Sequence, residues 1–305
     1  MQTVSTATAR VPSPVGEPPL RCWCDHGDYA VAFRTPRFGL LRCRHCGCFQ
    51  VNPPALREDS ASGAFYDSYY QGDASHLPDA APSSTPTRLS RFWRVVERVP
   101  ELRGIGHSVL DIGCGDGQLC AELVAHGWPE VIGLDVAPAR VERAAARCPS
   151  ARFHAGTLDS TDVPRRSLDL LIMDNVIEHL PEPLSFVGNL RPWLKPGGRI
   201  VLITPNMESG NFRLLGRRWT PELAPHVHLF LFTPRSLARL LDRAGFAVES
   251  TGVFPVNSGY WRTSLSSLTR GHLREAGWRA IQGAGELYGR ITGDGAMAYA
   301  VAHAV

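Results

Sequence analysis

Asp111 stands two positions ahead of the first glycine in Gly113-Cys114-Gly115-Asp116-Gly117, and a second acid, Asp135, closes the apolar run Val131-Ile132-Gly133-Leu134. Glycines at such a turn let the backbone bend sharply and approach a ligand with no side chain between them. The spacing is DxGxGxG, which differs from the GxGxxG of dinucleotide binders, and no GxxxxGK phosphate loop occurs in the chain. Asp111, near a strand end, suits an amino group better than a pyrophosphate. Asp135 can accept both hydroxyls of a ribose.

Cysteines form a second constellation, with five of the eight at Cys22, Cys24, Cys43, Cys46 and Cys48. Cys43-Arg44-His45-Cys46-Gly47 is a CxxCG knuckle, a turn that aims two thiolates at one metal. Cys22-Trp23-Cys24 lies upstream, ending 19 residues before Cys43. Two such pairs match a zinc ribbon. Its expected ligands are Cys22, Cys24, Cys43 and Cys46, with His26 as an alternative to either member of the first pair. His45 and Cys48 are spare candidates, and Cys114, Cys120 and Cys148 read as packed thiols. The N-terminus lacks the apolar core of a secretory signal, so the chain is expected in the cytoplasm, where thiols stay reduced.

Two histidines complete the chemistry. His179 follows Glu178 just past an apolar run, and His228 lies in Pro225-His226-Val227-His228-Leu229-Phe230, read as a loop. Imidazole near its free pKa suits proton removal around neutrality.

These residues need a scaffold, and the apolar pattern supplies one. Strands are predicted at Ser108–Ile112, Val131–Asp135, Ala151–Ala155, Leu168–Met173 and Arg199–Thr204. Helices are predicted at Thr87–Val99, Gln118–His126, Ala137–Arg147, Leu184–Leu194 and Pro234–Ala244. That alternation makes a parallel α/β sheet covered on both faces, with the chemistry at its carboxyl edge. Further strands are expected at Glu249–Phe254 and Ala296–His303. An amphipathic stretch over Ser264–Ile291 could serve as a lid or a homodimer helix.

Composition sets the outer bounds. The 305 residues are 44% apolar and 20% charged, ordinary for a soluble globular protein. A net charge of +3 gives no case for a general nucleic-acid or membrane-surface binder. Lys195 is the sole lysine among 32 basic residues, which reflects codon composition and not function. No run approaches the roughly 20 apolar residues of a membrane-spanning helix.

The segments VLDIGCGDG (109–117), VIGLD (131–135), SLDLLIMDNVIEHLPEP (167–183), LKPGGRIVLITPN (194–206) and HLFLFT to LARLLDRAGF (228–246) resemble a class I S-adenosylmethionine-dependent methyltransferase. The resemblance implies a Rossmann-like seven-stranded sheet. It places Gly113 and Gly115 along the methionine part of S-adenosylmethionine, Asp111 at its amino end and Asp135 on the ribose. Thr157 and Leu158 would flank the adenine and Asn175 would lie near the methionine moiety. Either Asp159 or a backbone N–H would read the adenine amino group.

The ribbon followed by the aromatic patch Phe65-Tyr66-Asp67-Ser68-Tyr69-Tyr70 resembles a bacterial subfamily that includes sugar C-methyltransferases and enzymes of secondary-metabolite clusters. In those sugar enzymes a Glu-His pair occupies the place of Val227-His228, so His228 lacks that neighbour here. Tyr66, Tyr69 and Tyr70 are candidates to line an acceptor pocket.

The expected organisation is a disordered tail (1–19), a zinc ribbon (20–55), a connector (56–86) and a methyltransferase domain (87–305). The expected activity is methyl transfer to a small-molecule acceptor, at oxygen before nitrogen or carbon, with His228 and His179 as catalytic candidates. The weaker alternatives are an RNA methyltransferase whose zinc ribbon reads RNA and a non-methylating cofactor-binding protein. Residues 21–50 carry five Arg against two Asp without the aromatic interleaving of a stacking platform.

Overall fold

The computed structural model describes residues 20–36, 38–52, 90–104, 106–216, 227–255, 280, 283–284, 287–289 and 291–305. The expected N-terminal tail, the connector with Tyr66, Tyr69 and Tyr70, and most of the 264–291 stretch lie outside the described residues.

Short apolar runs divided by turns form β1 (Tyr29–Arg34), β2 (Gly39–Cys43) and β3 (Phe49–Asn52). Strands and helices then alternate, beginning with α1 (Arg91–Val96), β4 (Ser108–Ile112), α2 (Gln118–Ala125), β5 (Glu130–Asp135), α3 (Pro138–Arg147) and β6 (Arg152–Ala155). They continue through β7 (Leu168–Asp174), α4 (Pro183–Leu190), β8 (Leu194–Pro205), α5 (Gly210–Leu215), β9 (Phe230–Leu231), α6 (Pro234–Arg243), β10 (Phe246–Phe254) and β11 (Met297–Ala304). Among the described residues, no helix is long and apolar enough to cross a membrane.

Seven strands make one sheet in the order β10-β11-β8-β7-β4-β5-β6. β4, β5, β6, β7 and β8 run parallel, and β11 is antiparallel to both its neighbours. Successive side chains of a strand point to opposite faces. Leu171 and Met173 accordingly pack with α4 and α6, whereas Leu170 and Ile172 pack with α1 and α2. From β4 the chain winds outward to β6, then returns to lay β7 on the other side of β4. That reversal opens a crevice beyond the strands' carboxyl ends.

Helix starts follow local rules. At α6, Thr233 Oγ1 accepts from Ser236 N at 3.1 Å and Ser236 Oγ accepts from Thr233 N at 2.8 Å. This reciprocal cap, with Pro234 as the first helical residue, fixes where the helix begins.

Three boundaries differ from the sequence pattern. The helix expected over Leu184–Leu194 stops at Leu190, and a 3-10 turn over Arg191–Trp193 leads into β8. Pro192 has no N–H to continue the helix. β8 therefore starts at Leu194, ahead of the expected Arg199. The loop expected around Phe230 holds β9, which pairs antiparallel with β3 through Phe49↔Leu231 and Gln50↔Phe230. The cysteine segment is thus joined to the larger domain in a sheet ordered β1-β2-β3-β9.

Asp169 binds the start of β4 to β7 and β8. Its Oδ2 accepts from His107 N (2.9 Å), Ser108 N (3.0 Å), Ser108 Oγ (2.9 Å) and Lys195 Nζ (2.7 Å). Burial pushes its pKa up, but the Lys195 ammonium and the other donors outweigh that and hold it at about 2. A depressed carboxylate stabilises the fold above its unfolded pKa, and that contribution fades as pH falls through the folded value. Asp169→Asn is expected to cost about 2 kcal/mol at pH 7. Denaturant titrations should show the gap from wild type closing between pH 4 and pH 2.

Candidate active site

Gly113, Gly115 and Gly117 follow β4 with φ of +75°, +54° and +75°. These left-handed values favour glycine. A Cβ on Gly113 would also lie 2.3 Å from Val176 Cγ2. The loop folds back on β5, because Gly113 N and Cys114 N both donate to Leu134 O, at 2.7 and 3.0 Å. Asp135 completes the tie: Oδ2 accepts from Gly115 N and Oδ1 from Ala137 N, each at 2.9 Å. Each carboxylate oxygen has a further lone pair for a ligand hydroxyl.

Asp111 is buried one residue before the end of β4, with Cys120 Sγ 3.8 Å from Oδ2. Burial, then the nearby Asp174 and Asp135 carboxylates, push its pKa well above the usual carboxylate range. Asp174, at the end of β7, is bound by Arg91 Nε of α1 at 2.8 Å. Sequence reasoning missed this pair. Its available signal was the position of Asp174 at a strand end, matching that of Asp135. Asn175 comes next, in the left-handed region at φ 56° for a non-glycine residue. Its Oδ1 is buried without a hydrogen-bond partner among the described residues.

Thr157 and Leu158 begin a 3-10 turn past β6, beside the Gly156 N–H that donates to Asp135 O at 2.9 Å. Leu158 is buried and offers an apolar surface there. The Asp159 carboxylate is 80% exposed and faces Arg165 at 3.5 Å. The crevice thus presents acids, a glycine cradle and an unpartnered amide oxygen. That set fits a ligand bearing an ammonium and a ribose.

Past β7, a 3-10 turn over Ile177–His179 carries Glu178 and His179. Ligating atoms of Glu178, His179 and His228 all lie within 4.8 Å of one another. His179 Nδ1 is 3.1 Å from Val227 O. A carbonyl only accepts, so Nδ1 carries the proton and Nε2 presents its lone pair. Burial drives this imidazole down to about 4, leaving it neutral near pH 7. Glu178 is fully buried; Oε2 accepts from Thr204 Oγ1 at 2.9 Å, and Oε1 has no hydrogen-bond partner among the described residues. The acidic side chain nearest His228 in this cluster is thus Glu178, from a different segment than Val227.

The sulfurs of Cys22, Cys24, Cys43 and Cys46 also lie within 4.8 Å of one another and could hold a metal. Cys22 and Cys46 are 3.5 Å apart, Cys24 and Cys43 3.6 Å. The other candidates are otherwise engaged. The His26 ring stacks on His45 at 3.6 Å with Nδ1 on Cys24 O at 2.8 Å. Cys48 is buried, with its thiol donating to Leu231 O at 3.3 Å. Cys114, Cys120 and Cys148 are buried, as expected of packed thiols.

The strand order and the acid-lined crevice at its reversal define the class I methyltransferase architecture. A sequence profile described as a methyltransferase domain matches residues 80–251, more than half of the chain, and the chain belongs to that family. A Mycolicibacterium smegmatis protein named "Probable S-adenosylmethionine-dependent methyltransferase" is 38% identical over 188 residues, covering 58% of this chain and 70% of that one. A ubiquinone biosynthesis O-methyltransferase of Cereibacter sphaeroides is 31% identical over 178 residues, 53% and 69% of the two chains.

Among solved structures, the cyclase SpnF superposes with a TM-score of 0.52 at 20% identity, covering 82% of this chain and 98% of its own. Haemonchus contortus phosphoethanolamine N-methyltransferase 2, with S-adenosylhomocysteine bound, gives 0.50 at 14% identity over 70% and 53%. These two likenesses concern the fold alone. The protein is an S-adenosylmethionine-dependent methyltransferase.

Burial raises the Glu178 pKa to about 8. Between its unfolded value and pH 8 the native state holds more protons than the unfolded state, so this group lowers stability as pH rises. Glu178→Gln keeps an acceptor for Thr204 and removes the titration. Its unfolding free energy should exceed that of wild type by on the order of 2 kcal/mol at pH 8. The advantage should vanish near pH 5, as read by urea unfolding at the two pH values.

Proposed function

We propose that the protein transfers a methyl group to an oxygen of a small-molecule acceptor in a biosynthetic pathway, with His228 as general base and His179 beside it. S-adenosylmethionine supplies a methyl already activated on a sulfonium, so the protein's main task is alignment. A hydroxyl acceptor must still lose a proton. The observation that carries the reading is the cluster of buried Glu178 and His228 with half-buried His179, and Asp174 close enough to perturb Glu178. An imidazole within reach of an acceptor hydroxyl is a side chain suited to take its proton. The O-methyltransferase names among the relatives agree with it.

Cofactor roles follow from the crevice. Asp111 would hold the amino end, and the unpartnered Asn175 Oδ1 is a second acceptor near it. Gly113 and Gly115 would let the backbone pass the methionine part, and Asp135 would take the ribose hydroxyls. Thr157 and Leu158 would flank the adenine. The outward pairing of Asp159 favours a backbone N–H for the adenine amino group.

Zinc is the metal proposed for Cys22, Cys24, Cys43 and Cys46. Zinc–sulfur bonds of ~2.3 Å in a tetrahedron put neighbouring sulfurs ~3.8 Å apart, close to the separations found here. All four side chains are buried, so thiolate charge on them would need a cation beside it.

Methyl-labelled S-adenosylmethionine incubated with extract of the source organism should label a small molecule. Label in RNA alone, or no transfer despite cofactor binding, would contradict the reading. Asp135→Ala should abolish cofactor binding by calorimetry. With the labelled acceptor identified, His228→Ala should lower kcat by about 100-fold without weakening cofactor binding.

A further inference from the structure

We infer that the cysteine ribbon is a positioning element of the acceptor side: through β3 it holds the Val227–Leu231 segment, and with it His179 and His228, in place. The inference rests on the proposed roles of these histidines and of the metal. A ribbon that merely capped the domain would need no backbone contact with that segment, yet several exist. β3 and β9 pair at Phe49↔Leu231 and Gln50↔Phe230, and Val51 N donates to Leu229 O at 3.4 Å. Cys48, two residues past a thiol of the metal cluster, donates its own thiol to Leu231 O at 3.3 Å.

From there the same segment runs straight into the candidate base cluster. Leu229 N donates to Glu178 O at 2.9 Å, and Val227 O accepts from His179 Nδ1 at 3.1 Å. His228 lies between those two anchors. A two-residue strand cannot hold itself: isolated pairs are marginal, and β9 has β3 as its sheet neighbour.

The ribbon is in turn fastened from outside by α6. Arg243 pairs with Asp25 at 3.0 Å and Arg239 donates to His45 O. Trp23 and the four clustered cysteines belong to the same apolar core as α4 and α6. A metal held by Cys22, Cys24, Cys43 and Cys46 would close the loops between residues 22 and 46, which flank β1, β2 and the start of β3. Loss of the metal should therefore free β9 and the histidines while leaving the glycine crevice, which lies on β4, β5 and β7, intact.

Hydrogen exchange on the full chain with S-adenosylmethionine bound tests this. Zinc content is first measured by mass spectrometry, and the metal is then removed with an organomercurial and a chelator. Exchange at 176–180 and 227–231 should accelerate at least tenfold, with 109–117 and 131–135 unchanged. In the same samples, the neutral Nδ1–H signal of His179 in 15N-histidine spectra should give way to a mixture of tautomers.

Acceleration confined to 20–52, with the His179 signal intact, would overturn the inference. So would acceleration throughout 109–174. The double variant Arg239→Ala/Arg243→Ala loosens the ribbon without touching a thiol. It should retain the metal and still accelerate 227–231 severalfold; unchanged exchange there would contradict the inference. Protein purified without any metal would defeat the zinc assignment, and the double variant would still decide the positioning role.

Discussion

Carboxylates crowd the point where the sheet reverses direction, and that crowding governs what the crevice can hold. Asp111 and Asp135 sit on neighbouring parallel strands and Asp174 on the strand at the other side of β4. Burial and mutual repulsion disfavour full ionisation, and Asp111 responds with a raised pKa. Arg91 relieves Asp174, and backbone N–H groups of the glycine loop and of Ala137 relieve Asp135. What remains is a demand for positive charge at Asp111. A ligand carrying an ammonium meets it, and the glycine turn removes the side chains that would block the approach.

The second organising contact is the pairing of β3 with β9. It joins residues about 180 positions apart and sets the cysteine hairpin against the segment that carries His228. Glu178 acts on the same neighbourhood from the opposite side, through its backbone carbonyl to Leu229 and its side chain to Thr204. The acid-lined crevice and the Glu178–His179–His228 cluster thereby share one edge, with Asp174 close enough to Glu178 to influence its protonation.

Features written in adjacent residues were legible in the sequence. The apolar runs, the glycine turn with its positive φ values, the strand-end Asp135 and the paired cysteines each carry their signal within a few positions. Contacts made across the chain were not. β9 is two residues long and has no periodicity of its own, so Phe230 read as loop until β3 was seen against it. Val227 leaves His228 without an acidic neighbour in sequence, and the fold alone brings Glu178 near it. From sequence His26 is as fit a ligand as a cysteine; its stacking on His45 and the contact of its Nδ1 with Cys24 O set it apart from the four-cysteine cluster. The apolar pattern continues past Leu190, and Pro192 ends the helix against it.

The demand for a cation at Asp111 is the claim on which the cofactor assignment stands. Its most direct test is calorimetry of S-adenosylmethionine binding near pH 6, in buffers of different ionisation enthalpy. If the ligand's ammonium replaces a proton on Asp111, binding heats will vary with buffer in the sense of proton release, and Asp111→Asn will abolish that dependence. Heats that do not vary with buffer, or a proton release that survives in Asp111→Asn, would contradict the account.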